Sequence, residues 1–270
     1  MSSQSQTFAF IITAKTCNAF QQHLLQECVR HIRAQYPTHT IYILNDNSPW
    51  PLQLALAEDP HMHIYPALAK GAGELNAYLF SVDERCLHRR VVFIHDSVFL
   101  KGPLPSFYDS TESTTLDTFP FFQSFWQATK HAWTDIFTLE NKIILENMVF
   151  YFDSPWCPKK TLLQVLREFQ HGLKDFAVTF GAMGMFNTAF VHFVQSRTNL
   201  FAIAHLFKTR SHRCLFERIV SCLLYMQKPP QVHSLCGDIF QHPAAFKNTC
   251  INLPPPHNKP TTFVKVWQGR

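Results

Sequence analysis

Val91-Val92-Phe93-Ile94-His95-Asp96-Ser97-Val98-Phe99-Leu100 is the stretch on which the fold turns. Apolar residues run without alternation into His-Asp-Ser, and the chain becomes apolar again at once. A strand covered on both faces shows such a run because neither face meets water, although periodicity alone leaves a short buried helix as the other reading. In an open α/β sheet, ligands gather beyond the carboxyl ends of the strands, so His95, Asp96 and Ser97 stand where chemistry is expected. The plainer alternative is that Asp96 only caps or turns the chain.

The segments before this strand support the sheet. Phe8-Ala9-Phe10-Ile11-Ile12-Thr13 reads as a first buried strand, and Thr16 or Asn18 offers a helix cap. Phe20, Leu24, Leu25, Cys28, Val29, Ile32 and Tyr36 follow at three- and four-residue spacing, one apolar helix face that ends before Pro37. Ile41-Tyr42-Ile43-Leu44 is the second strand, closed by the turn-rich Asn45-Asp46-Asn47-Ser48-Pro49. Strand, helix, strand in this order predicts a right-handed βαβ unit. The acid after the second strand would suit the ribose of a dinucleotide, but that chemistry needs a glycine-rich turn after the first strand. The turn here, Thr13 to Asn18, has no glycine, and no phosphate-binding GxxxxGK[ST] occurs anywhere.

A chain of 270 residues, 46% hydrophobic and with 26 phenylalanines, has the material for one large α/β core or for one domain with an appendage. Its formal charge of +5 is spread out, with no run of five like charges, which argues against a nucleic-acid partner. The eight cysteines form no CxxC pair and fit no common zinc spacing, so a reduced, intracellular and cytoplasmic chain is expected. No stretch approaches the roughly 18 apolar residues of a membrane span, and the first six residues lack the charge of a secretory leader.

Further along, a short helix or turn is expected near Pro51 to Ala57 and a strand at His63-Ile64-Tyr65. Lys70-Gly71-Ala72-Gly73-Glu74-Leu75-Asn76 leads into a helix; two glycines there would let a ligand come close and Lys70 would meet a phosphate, or the segment is a plain loop-to-helix junction. Lys101 to Asp117 reads as a loop, Phe119 to Trp133 as an aromatic cluster mostly for the core, and Leu162 to Phe169 as a helix. Phe176 to Phe180 reads as a strand running into Gly181-Ala182-Met183-Gly184, small residues that would leave room for a substrate before a helix capped by Asn187 or Thr188. Leu215, Ile219, Cys222, Leu223 and Met226 mark an amphipathic helix with Glu217 on its more polar side, either a base or a solvated acid.

Taken in order, these pieces resemble the GT-A class of nucleotide-sugar glycosyltransferases, including the GT-A-like proteins of large DNA viruses and microbes. The residues that carry the resemblance are Ile12-Thr13, Ile43 to Ser48, Lys70 to Asn76, the strand into His95-Asp96-Ser97-Val98, Phe180 to Gly184, Phe216-Glu217-Arg218 and Gly237-Asp238-Ile239. The resemblance implies a single α/β, Rossmann-related domain over 1–270, with a mostly parallel sheet flanked by helices. It divides the chain into a nucleotide-binding half (1–101), an acceptor half (102–253) and a C-terminal tail (254–270). It further implies a nucleoside diphosphate sugar donor held near Thr13, Asp46, Lys70, Gly71, Gly73 and Asp96, and a glycan or other hydroxyl acceptor beside Gly181 and Ala182. Glu217 falls where inverting members place their base. Mn²⁺ or Mg²⁺ would neutralise the diphosphate through Asp96, with His242 as a late ligand. The chain departs from the family at its Asp-x-Asp motif, where His95 and Ser97 replace the two aspartates; Lys70 or Arg218 would then stand in for the metal, or the fold would serve as a silent module that binds a glycan or a protein partner.

Overall fold

Burial at every position makes β1 (Ala9–Ala14) the axis of the molecule, as its unbroken apolar run requires. The chain is described by a computed structural model over residues 8–52, 54, 59–104, 119–128, 138–151, 159–169, 178–227, 234–236 and 263–265. After β1, the Asn18 side chain accepts a hydrogen bond from the Gln21 amide at 3.0 Å and opens α1 (Ala19–Gln35), which buries Leu24, Leu25, Cys28, Val29 and Ile32. Then come β2 (Ile41–Asn45), β3 (Met62–Pro66), α2 (Leu75–Ser81) and β4 (Arg90–His95). Each of these strands runs parallel to its neighbour, with Ile12 opposite both Ile43 and Ile94.

β5 (Val98–Leu100) follows β4 after a two-residue turn, so the opening stretch is two strands with its polar residues at the bend. Among the described residues the remaining strands and α-helices are β6 (Phe122–Ser124), β7 (Gln127–Ala128), α3 (Lys142–Asn147), β8 (Val149–Tyr151), β9 (Lys159–Thr161), α4 (Leu162–Phe169), β10 (Val178–Thr179), β11 (Gly184–Asn187), α5 (Thr188–Arg197), α6 (Arg210–Gln227) and β12 (Phe263–Lys265). The main sheet has the order β3-β2-β1-β4-β11-β6, parallel from β3 to β4, with β11 antiparallel to both its neighbours. The fold is thus mixed α/β with a mostly parallel central sheet flanked by helices.

Two expectations change here. Of the strand expected at Phe176 to Phe180, positions 176 and 177 lie outside the described residues, Val178 and Thr179 are strand, paired with β7, and Phe180 to Ala182 turns as a short 3₁₀ segment. Gly184 to Asn187 is a sheet strand instead of open space for a substrate. A Cβ on Gly184 would lie 2.4 Å from the Gln123 carbonyl oxygen, so the missing side chain is what lets β11 lie against β6. The expected turn near Pro51 falls mostly, and the loop beyond Leu104 wholly, outside the described residues.

The order of β2, β1 and β4 fixes where a ligand can enter. The chain leaves β1 toward β2 on one side and later returns to β4 on the other, so the loops diverge between β1 and β4. Such a divergence opens a crevice at the carboxyl edge, where Thr13 and His95 lie in register.

Candidate active site

The strand-side wall is set by backbone hydrogen bonds. Asp46, buried at the end of β2, accepts from the Gly71 amide at 2.6 Å and from the Gly73 amide at 3.0 Å, one on each carboxylate oxygen. Asn76 closes the same loop by exchanging two bonds with Ala69, at 2.8 and 2.9 Å. Gly73 takes a left-handed φ of +54° and carries no Cβ where the Arg213 side chain crosses it. Asp46 therefore holds the glycine loop, and it lines the crevice with acceptor capacity left on its oxygens.

At the turn after β4, the Asp96 amide donates to the Thr13 carbonyl at 3.3 Å, and the Lys15 amide donates to the Asp96 carboxylate at 3.2 Å. The ammonium of Lys265 donates to the Ser97 hydroxyl at 2.6 Å. Asp96, Ser97 and Lys265 are all buried, so a lysine far along the chain stands beside the polar turn of the opening strand.

The opposite wall comes from Phe180 to Ala182 and α6. Thr179 donates its amide to Ser221 at 2.9 Å, and Ser221 donates to the Glu217 carbonyl at 2.7 Å, which pins α6 to the end of β10. Glu217 thereby faces the crevice from the third turn of α6, not from solvent and not from the helix start. Its carboxyl is pushed up to about 8, first by burial and then by the nearby Glu74 carboxylate. Arg218, a hydrogen bond from the Gly181 backbone and Arg213 pull the other way without winning. Glu74 is itself raised, chiefly by burial, with Arg213 opposing. Its two oxygens lie 3.4 Å from His95 Nε2 and 3.9 Å from Arg213 Nε. At Gly181, with φ of +65°, a Cβ would come within 2.9 Å of His95 Cε1, so the histidine at the end of β4 reaches the far wall.

These walls enclose a cavity of about 630 Å³. Thr13, Asp46, Gly73, Asp96, Gly181 and Glu217 all line it, from six separate elements or loops. Lys70, Gly71 and Ala182 do not: Lys70 is exposed, the Gly71 amide is spent on Asp46, and Ala182 is buried with its carbonyl accepting from the Tyr78 hydroxyl at 2.9 Å. His242 lies outside the described residues. Sequence reasoning passed over Glu74, Arg213 and Lys265. Only Glu74 left a signal, as the acid in the glycine segment; Arg213 sits two residues before Leu215 on an ordinary amphipathic helix, and Lys265 lies in a tail whose pairing partner is remote.

The described residues do not fit a divalent cation. Mg²⁺ and Mn²⁺ want about six hard donors, several of them oxygens of the protein or substrate. No group of three or more His, Cys, Asp or Glu that could hold one occurs among the described residues. At the expected position Asp96 is the one carboxylate of the turn, and the neighbouring Ser97 oxygen already holds an ammonium.

No protein-family model matches the chain, and neither does any curated protein. Solved structures that are similar in part include two of one protein. One, described as S. aureus TarS 1-349 in complex with UDP, is 11% identical over 35% of this chain and 28% of its own, with a TM-score of 0.28. The other, S. aureus TarS 1-349, is 9% identical over 81% of this chain and 55% of its own, with a TM-score of 0.37. The chain thus spans about a quarter to a half of these two structures, and superpositions this loose carry no weight for fold or chemistry. No described helix is long and apolar enough to cross a membrane.

Proposed function

We propose that the protein transfers a sugar from a nucleoside diphosphate donor to a hydroxyl acceptor, such as a glycan, with inversion and with Glu217 as the base. The observation that carries this reading is the placement of Glu217. A carboxyl held near 8 faces a crevice at the carboxyl ends of parallel strands, across from Asp96, with Arg213, Arg218 and Lys265 around it. A base is most useful when its own proton affinity lies near the working pH, and a carboxylate reaches that range only by desolvation and like charge. Both causes act on Glu217.

In the proposed step the acceptor oxygen forms a bond to the anomeric carbon as the bond from that carbon to the phosphate oxygen breaks. The electron pair of the broken bond leaves with the nucleoside diphosphate, and the acceptor's proton passes to Glu217. Thr13 and Asp46 would meet the nucleoside, the glycine loop and the turn that carries Asp96 would border the region of the phosphates, and Gly181 the acceptor. Asp46 contributes in two ways, by fixing the loop and by offering its remaining lone pairs to a ribose hydroxyl.

Release of nucleoside diphosphate from a panel of nucleoside diphosphate sugars, with glycan acceptors added, tests the assignment. Glu217→Gln should bind donor as the wild type does and lose about 10²–10⁴-fold in turnover. Undiminished turnover by that variant would remove Glu217 as the base. A second reading, a silent module that recognises a glycan or a protein, is favoured by one feature: Asp96 and Ser97 are both engaged by the chain itself, through the Lys15 amide and Lys265. That reading requires glycan or protein binding with no nucleoside diphosphate released by the folded wild type.

A further inference from the structure

We infer that Lys265 supplies the positive charge that meets the donor's diphosphate, so that the site binds its nucleotide without a divalent cation. This deepens the transfer reading and rests on it. Where the family that the sequence resembles has Asp-x-Asp and a dication, this chain has His95 and Ser97, so the positive charge that faces a diphosphate has to come from a side chain. That charge is the Lys265 ammonium, 2.6 Å from the Ser97 oxygen and 168 residues away in sequence.

Three observations make this placement a built one. Lys265 is only 9% exposed, and it lines the same cavity as Asp96 and Glu217. It is carried by β12, which pairs antiparallel with β5 in the register Phe263 to Leu100 and Lys265 to Val98, so the backbone fixes its position. Phe263 at the other end of β12 is buried against Phe125, with ring centroids 4.3 Å apart, and against Trp126. A buried lysine is costly unless its charge is matched, and here its ammonium acts on the Glu74 carboxyl, favouring the ionised form against the effect of burial. A dication placed on Asp96 would lie next to this ammonium and be repelled by it, whereas a diphosphate would be attracted. Lys also meets phosphate as a compact charge with three donors, the role a metal otherwise fills. The tail at the end of the chain is thereby part of the donor site.

Calorimetric binding of UDP, GDP and inorganic pyrophosphate, each in EDTA and in Mn²⁺, tests this on wild type, Lys265→Met and Lys265→Arg. Wild type should bind at least one of these in EDTA; Lys265→Met should weaken that binding by about tenfold or more, and Lys265→Arg should restore most of it. Wild-type binding that requires Mn²⁺ would overturn the inference and leave the transfer reading standing, and this comparison needs no variant. Binding in EDTA that Lys265→Met leaves unchanged would do the same. If folded wild type binds no diphosphate in either condition, the transfer reading falls and takes this inference with it.

Discussion

The two walls of the cavity are held by opposite means. On the strand side, carboxylates serve the backbone: Asp46 takes two loop amides and Asp96 takes one. On the helix side, the backbone serves the carboxylate: Thr179 and Ser221 pin α6, and the Gly181 backbone offers Glu217 a single hydrogen bond that burial outweighs. An acid satisfied by amides is a structural fixture, ready to shape a pocket. An acid left short of partners among buried neighbours holds its proton longer, which is what a base near neutral pH needs. The same functional group, a carboxyl, thus does two jobs in one cavity.

The sharpest way to break this contrast is to titrate Glu217. Because its carboxyl is held near 8, turnover should rise about tenfold per pH unit below that value and level off above it. Stability should move the other way. Between the ordinary carboxylate value of 4.5 and about 8 the folded protein holds a proton that the unfolded chain releases, so the contribution is whole below 4.5 and is lost as pH rises through about 8. Glu217→Gln removes that loss. At pH 9 it should withstand more denaturant than wild type, by about 2–4 kcal/mol once solvent access through the cavity is allowed for, while at pH 5 the two curves should nearly coincide. A flat pH–rate profile together with equal stabilities at pH 9 would show Glu217 to be an ordinary surface acid.

On the other wall the contrast is tested by Asp46→Ala. Two buried or half-buried amides lose a charged acceptor, so unfolding free energy should fall by about 2–4 kcal/mol and nucleotide binding should weaken with the loop's disorder. Asp46→Asn keeps one acceptor and should recover roughly half of the loss. An Asp46→Ala protein with wild-type stability and loop exchange rates would mean that the glycine loop holds its shape by itself.

How much of this was legible in the sequence follows the same division. The strands β1, β2 and β4, the helix α1 and the turn at His95-Asp96-Ser97 are local: each is written in a run of apolar residues, a cap or a turn dense in Asn and Asp. Glu217 was picked out, but its direction was not, since a helical wheel shows which face is polar and not whether that face meets water or another wall. Gly184 misled because a glycine that lets two strands approach has the same letter as one that leaves room for a ligand. Lys265 had no signal at all, for its partner Ser97 is 168 residues away and a three-residue strand has no period to detect.

The smallest expected effect sits where the walls touch. Gly73 belongs to the loop that Asp46 holds, and the Arg213 side chain of α6 crosses it so closely that a Cβ would lie 2.2 Å from Arg213 Cδ. Gly73→Ala therefore meets two costs at once, a left-handed φ of +54° and a displaced arginine. The first is a backbone cost of about 1 kcal/mol. The second is softened because an arginine side chain bends, so the total loss of stability should stay near 1–2 kcal/mol. The displacement has a further reach: Arg213 opposes the rise of both Glu74 and Glu217, so moving it should carry the midpoint of the pH–rate profile upward from about 8. A Gly73→Ala protein that loses stability while keeping its midpoint would mean that the two walls touch without sharing their electrostatics.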